Sequence, residues 1–162
     1  MSDARPGEEY LGDDPAKAGG DARLVFIGRL ETPWQARDET PRNLRQARAA
    51  GRPARLVVAE PYRRGLHRLE RYRHIVLLTW FDRSRRDLIV QNPRHAEEPS
   101  GTFALRSPVR PNPIGLHVVE VTGFDAENGV IDLAYIDVLD GTPVIDIKPY
   151  MPTIDTPEGQ QG

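Results

Sequence analysis

Apolar residues along this chain come in short runs rich in β-branched and aromatic side chains, and Gly, Pro, Asn and Asp break one run from the next. Runs of this kind read as strands. They cover Leu24 to Leu30, Arg55 to Ala59, Ile75 to Phe81, Leu88 to Gln91, Thr102 to Leu105, Leu116 to Thr122, Val130 to Ile136 and Val144 to Ile147. The stretch Phe124-Asp-Ala-Glu-Asn-Gly129 predicts a hairpin turn, and Asp140-Gly141 a second turn between two strand-like runs. Helical patterning is confined to Pro41 to Ala50 and Gly65 to Tyr72. So many short strands with so little helix predict a mainly β fold, its sheet closed on itself as a barrel rather than a parallel sheet covered by helices.

The periodic region has edges. Residues 1–22 are rich in Asp, Glu, Gly, Ala and Pro and show no hydrophobic period, which reads as a disordered acidic tail; residues 23–152 read as one barrel domain and 153–162 as a second disordered tail. A chain of 162 residues with 38% hydrophobic content suits one domain with a real core.

Composition removes several kinds of chemistry. Without cysteine there is no disulfide and no thiolate metal site, and His67, His74, His95 and His117 lack metal-ligand spacing, so a metal-free mechanism is expected. No apolar run approaches a membrane-spanning length and the N-terminus is polar and acidic, which points to a cytoplasmic protein. The formal charge is −2, yet the middle of the chain is rich in arginine: Arg63, Arg64, Arg68, Arg71, Arg73, Arg83, Arg85, Arg86 and Arg94. Such a face attracts RNA phosphates by counterion release. The interleaved Glu60, Glu70, Asp82 and Asp87 allow a second reading, surface ion pairs.

Two segments carry the candidate chemistry. In Gly101-Thr-Phe-Ala-Leu-Arg-Ser-Pro-Val-Arg-Pro-Asn-Pro-Ile-Gly115 an apolar stretch runs into arginines and an asparagine set among prolines. Pro108, Pro111 and Pro113 have fixed φ and restrict the residues before them, so ordering this loop on a ligand loses little entropy. In Ile136-Asp-Val-Leu-Asp-Gly-Thr-Pro-Val-Ile-Asp-Ile-Lys-Pro-Tyr150, the charged groups Asp137, Asp140, Asp146 and Lys148 sit within an apolar context. Asp146 and Lys148 are two apart, so in a strand they share a face and can pair.

Together these segments resemble the TsaA-like family of tRNA methyltransferases. The likeness rests on Phe103 to Leu116 and Leu139 to Pro152, and extends upstream to Phe26-Ile-Gly-Arg-Leu-Glu-Thr-Pro33, Thr40-Pro-Arg-Asn43 and Leu69 to Phe81. It implies a single-sheeted β-barrel, S-adenosylmethionine as cofactor, a tRNA substrate and a homodimer. The chain itself has no Gly-x-Gly-x-x-Gly after a strand. Carried over position by position, the family's cofactor residues fall on Pro41, Arg42 and Asn43, on Asp82 and Arg83, on Arg106 and Leu116, and on Ala134, Tyr135, Ile136 and Asp137. Asp82-Arg83 departs from the His-Gln pair that other members carry.

The activity this resemblance implies is methylation of the N6 nitrogen of N6-threonylcarbamoyladenosine beside the anticodon. That nitrogen belongs to a urea and is a poor nucleophile, so a proton acceptor or strong positioning is expected, with Asp140, Asp146 and Lys148 as the titratable candidates. Two alternatives stand beside it: methylation of a small molecule, and a non-catalytic module that binds S-adenosylmethionine and regulates a partner.

Overall fold

Apolar alternation becomes strand burial wherever the pattern of one residue in, one residue out persists. In the computed structural model, which describes residues 4–94 and 96–159, the strands are β1 (Glu9–Tyr10), β2 (Gly28–Glu31), β3 (Ala54–Val58), β4 (His74–Trp80), β5 (Leu88–Gln91), β6 (Ser100–Gly101), β7 (Ile114–Asp125), β8 (Val130–Leu133) and β9 (Pro143–Pro149). Two short α-helices join them, α1 (Leu44–Ala50) and α2 (Pro152–Asp155), with 3-10 segments at Glu60–Leu66, Leu69–Arg71 and Thr102–Ala104. His95 and parts of both terminal stretches, residues 1–3 and 160–162, lie outside the described residues.

The chain divides into two units. One comprises Val25–Trp80 and Leu116–Gly162, the other Met1–Leu24 and Phe81–Gly115. The first holds the closed barrel, with strand order β2-β3-β8-β7-β4-β9, so the expected mainly β barrel is present. Antiparallel ladders join β2 to β3 and β9, β3 to β8, β4 to β9 and β7 to β8. The buried positions of β4, Ile75, Leu77 and Thr79, alternate with half-exposed ones, and Leu30, Leu56, Val58, Val119, Ile131, Leu133 and Val144 complete the interior. Burying each aliphatic side chain of this size stabilises the fold by about 1.5–3 kcal/mol. The β7–β8 hairpin closes where Phe124 to Gly129 predicts it: Asp125 pairs with Val130, Asp125 accepts from the Asn128 amide at 3.1 Å, and Gly129 takes φ +72°.

Several elements differ from the sequence pattern. Val130 to Ile136 is a strand only as far as Leu133, and from Ala134 the chain runs irregularly to the Asp140-Gly141 turn. That turn therefore does not close a hairpin; β9 pairs with β2 and β4 instead. Gly65 to Tyr72 forms 3-10 turns rather than an α-helix, with Arg68 at φ +68° between them. Thr102 to Leu105 is a 3-10 turn because the Thr102 hydroxyl donates to Leu88 O and accepts from Gln91, contacts that a flat strand would not make.

In the second unit β5 lies between β1 and β6. Glu9 and Tyr10, inside the stretch whose composition reads as a tail, form β1. Polar contacts rather than apolar burial hold this segment: the Arg85 guanidinium stands 5.2 Å from the Tyr10 ring centre, and Glu8 accepts from the Asn92 backbone amide at 3.3 Å. No helix among the described residues is long and apolar enough to cross a membrane.

Candidate functional site

Inside the barrel the alternation of β4 and β7 turns two polar side chains inward. Thr79 is fully buried and His117 is 4% exposed. His117 Nε2 lies 3.0 Å from Thr79 Oγ1, and its Nδ1 lies 3.0 Å from Asp137 Oδ1. A carboxylate only accepts, so Nδ1–H donates to Asp137; in the neutral ring Nε2 then accepts from the Thr79 hydroxyl. This chain of hydrogen bonds fixes one oxygen of Asp137, which sits at the edge of the interior with its side chain 15% exposed. Asp137 Oδ2 has no partner among the described residues. The register of β4 on β9 shifts between Leu78 and Thr79, an irregularity that re-aims a side chain at this point of the wall.

Asp137 sits in the irregular segment that follows β8, and that segment is pinned along its length. Ala134 N donates to Glu120 O at 2.9 Å, the Trp34 indole to Ile136 O at 2.9 Å, and the Thr32 hydroxyl to Val138 O at 2.9 Å. Asp140 closes the set: its Oδ1 accepts from Thr32 N at 2.8 Å, and its own amide donates to Trp34 O at 2.8 Å. The segment holds a single path without a ladder of its own because Thr32 and Trp34, buried just beyond β2, satisfy its carbonyls.

Asn43 caps α1. Its side-chain oxygen accepts from Gln46 N at 2.9 Å, the Gln46 side chain accepts from Arg42 N at 2.9 Å, and Gly51 ends the helix at φ +60°. The cap uses Asn43 Oδ1 and leaves the amide donors with no partner among the described residues. Pro41 is half-buried, while Arg42 and Asn43 are exposed. Leu116 is an outward position of β7, 50% exposed.

In the other unit the proline loop is clamped from inside. Arg110 donates to Leu105 O at 3.0 Å and Ser107 O at 3.1 Å, Gln91 to Val109 O at 2.6 Å, and Arg86 to the Asn112 side-chain oxygen at 3.4 Å as well as to Pro111 O. Arg106 sits at the head of this loop and is exposed. Asp82 and Arg83 occupy an exposed turn closed by Ser84 N donating to Phe81 O at 3.0 Å.

The three titratable candidates are not brought to one point. Asp140 is tied to Thr32, whereas Asp146 pairs with Lys148 at 2.7 Å on the outer side of β9, where the two side chains are 42% and 61% exposed. Much of the arginine-rich middle is likewise engaged. Arg73 pairs with Glu120 at 2.8 Å and holds that carboxyl below its ordinary range. Arg85 grips Asp87 through two bonds, 2.7 and 3.0 Å, which holds Asp87 down and Arg85 up. Sequence reasoning passed over Thr79, His117, Thr32 and Trp34. A threonine and a histidine at inward-alternating positions of strands rich in apolar residues are the signal that marks the first two.

The chain is similar to several known proteins. A protein from Archaeoglobus fulgidus described as an S-adenosyl-L-methionine-binding protein is 41% identical over 141 residues, covering 85% of this chain and 98% of the relative. The human tRNA (adenine(37)-N6)-methyltransferase is 35% identical over 150 residues, 89% of this chain and 33% of the human protein. Among solved structures, TrmO from P. aeruginosa superposes with a TM-score of 0.68 at 32% identity, over 90% of this chain and 62% of the TrmO chain. This chain thus spans less than two thirds of that chain and a third of the human enzyme. The family model described as the tRNA-methyltransferase O N-terminal domain matches residues 29–156, from β2 through α2, and the chain belongs to that family.

Proposed function

We propose that this chain is an S-adenosylmethionine-dependent methyltransferase acting on the N6 position of an adenosine in tRNA, with N6-threonylcarbamoyladenosine beside the anticodon as its substrate. The family match over residues 29–156 carries the reading, and the names of the A. fulgidus and human relatives support its cofactor and its reaction. A tRNA substrate is in keeping with a cytoplasmic protein.

The residues fit such a cofactor by chemistry. S-adenosylmethionine supplies an electrophilic methyl group on a sulfonium, together with an adenine edge, ribose hydroxyls and a carboxylate. In the barrel unit Asn43 offers amide donors to the adenine edge, Leu116 offers apolar cover, and Asp137 offers its unpartnered oxygen to ribose hydroxyls or to the positive sulfonium. Pro41, Arg42, Ala134, Tyr135 and Ile136 flank them in sequence, and the pinned Ile136 carbonyl keeps their backbone path constant. In the other unit Arg106 is the cation suited to a carboxylate fork, with Asp82 and Arg83 on the neighbouring turn in sequence.

In methyl transfer to N6, this chain's own residues would hold the adenosine against the methyl donor, keep water out and accept the N6 proton. Positioning and exclusion of water therefore account for most of the protein's task. The acceptor is sought among Asp140, Asp146 and Lys148, and the variant that lowers kcat while leaving both KM values in place identifies it. The functional assembly is a homodimer in this reading, and Phe103, 76% exposed, is the apolar side chain chosen to test it.

Nucleoside mass spectrometry decides the matter. Purified protein with S-adenosylmethionine should convert tRNA carrying threonylcarbamoyladenosine to its methylated form and leave unmodified tRNA unchanged. Cofactor binding without transfer to any tRNA would sink the enzyme reading and leave a binding module.

A further inference from the structure

The barrel unit has a cleft of about 720 Å³, within the size range of small-molecule sites. None of the residues proposed for the cofactor lines it. Leu66 and Ile147 give it an apolar lining, and Tyr62, Tyr72, Arg68 and Arg71 bring two phenol rings and two guanidinium groups to the same walls. Among the described residues, neither phenol hydroxyl and neither guanidinium has a hydrogen-bond or ion-pair partner, unlike Arg55, Arg73 and Arg85, each of which is paired. Asp146 is the single carboxylate of the lining, and Lys148 neutralises it at 2.7 Å. The cleft is therefore cationic.

Arg68 adds an independent observation. It is the one non-glycine residue among the described residues with a positive φ, +68°, a conformation that disfavours a long side chain where Gly or Asn would sit more easily. The strained position carries a guanidinium into the lining of the cleft.

Two aromatic faces, two unpaired guanidinium groups and an apolar lining match one chemistry. A base stacks on a phenol ring whatever its identity, and a phosphate takes the planar guanidinium fork. We propose that this cleft binds a nucleoside phosphate, its base against Tyr62 or Tyr72 and its phosphate on Arg68 and Arg71. The same chemistry has two sources, a free mononucleotide and one nucleotide of an RNA strand. The site is separate from the residues proposed for the cofactor, shares Asp146 with the candidate proton acceptors, and is inferred without the methyltransferase reading.

Calorimetry on the whole chain tests it with AMP and, separately, with a short single-stranded oligoadenylate, both under saturating S-adenosylmethionine so that adenosine sites elsewhere are occupied. The chain should bind at least one probe. Binding of AMP identifies the free nucleotide as sufficient, and binding of the oligonucleotide alone identifies the strand. Arg71→Gln should weaken binding by about ten-fold or more, the ratio expected when a charged hydrogen bond is lost. Tyr62→Leu or Tyr72→Leu should weaken it by about five-fold or more if that ring carries the base. Arg68→Gly is the decisive variant because it removes the guanidinium while relieving the positive φ, so the protein keeps or raises its Tm and lost binding is not lost folding. Failure of the unaltered chain to bind either probe would overturn the proposal. So would unchanged affinity in the Arg68→Gly, Arg71→Gln double variant.

Discussion

His117 Nδ1 stands 3.0 Å from Asp137 Oδ1, and the same ring reaches Thr79 at 3.0 Å on its other side. A buried imidazole thus links the barrel wall to the irregular segment that carries the proposed cofactor residues. The ring orients a carboxylate that β8, ending at Leu133, does not reach.

Replacing His117 with Leu should release Asp137 and leave the buried Thr79 hydroxyl without its partner. Leaving a buried polar group unsatisfied destabilises by about 1–3 kcal/mol, and each kcal/mol lowers Tm by about 2–4 °C for a chain of this size. Thermal melts check the stability, and calorimetry with S-adenosylmethionine checks the function. Thr79→Val keeps the His117–Asp137 bond, so it should weaken the cofactor less than His117→Leu does. Equal loss from both variants would mean that the ring acts only as packing.

Arg106→Ala should weaken S-adenosylmethionine by about ten-fold to a hundred-fold, the range for losing a hydrogen bond to a charged group. Titration calorimetry reads the affinity, and a change below about three-fold would remove Arg106 from the proposed set.

Gln91→Leu targets the proline loop from behind. Gln91 is 5% exposed and donates to both Thr102 Oγ1 and Val109 O, so the substitution leaves Val109 O without its side-chain donor. We expect a loss of about 1–3 kcal/mol. Amide hydrogen exchange should quicken between Leu105 and Pro113, and unchanged exchange would show that the prolines alone hold the loop.

Asp87 supplies a pH dependence. The bidentate contact with Arg85 holds its carboxyl below the ordinary carboxylate range. A group depressed on folding contributes stability that is present above its unfolded pKa of about 3.9 and is lost as pH falls through the folded value. The pair is partly exposed, so the contribution is up to about 1 kcal/mol. Asp87→Asn should therefore melt below the parent at pH 7, and the gap should close as pH falls below about 4. A gap that stays constant down to pH 3 would assign the effect to something other than this ionisation.

Phe103→Asp should shift the chain from dimer to monomer in sedimentation velocity. Phe103 is 76% exposed, and a charge there cannot enter a dry interface without a partner. A parent chain that sediments as a monomer at micromolar concentration would end the homodimer proposal.

The barrel was legible in the sequence because local patterning suffices for it. The alternation over Ile75 to Phe81 and Leu116 to Thr122, the Phe124 to Gly129 turn and the shortage of helical periods all act over a few residues, and each is seen in the folded chain. The stiff proline loop was legible for the same reason, since Pro108, Pro111 and Pro113 limit their own backbone and that of their neighbours. What only the tertiary structure decided is where the polar side chains go. His117 and Asp137 are 20 residues apart and Thr79 and His117 are 38 apart, and no local rule states that they meet. Arginine shows the same division. Its abundance in the middle of the chain is compositional, but folding gives Arg73 to Glu120 and Arg85 to Asp87, turns Arg86 and Arg110 onto loop carbonyls, and leaves Arg68 and Arg71 in one cleft without ion-pair partners among the described residues. Sequence sets how much charge a chain carries; the three-dimensional fold sets which charges meet a partner, because an ion pair acts over a few ångströms of space and takes no account of distance along the chain.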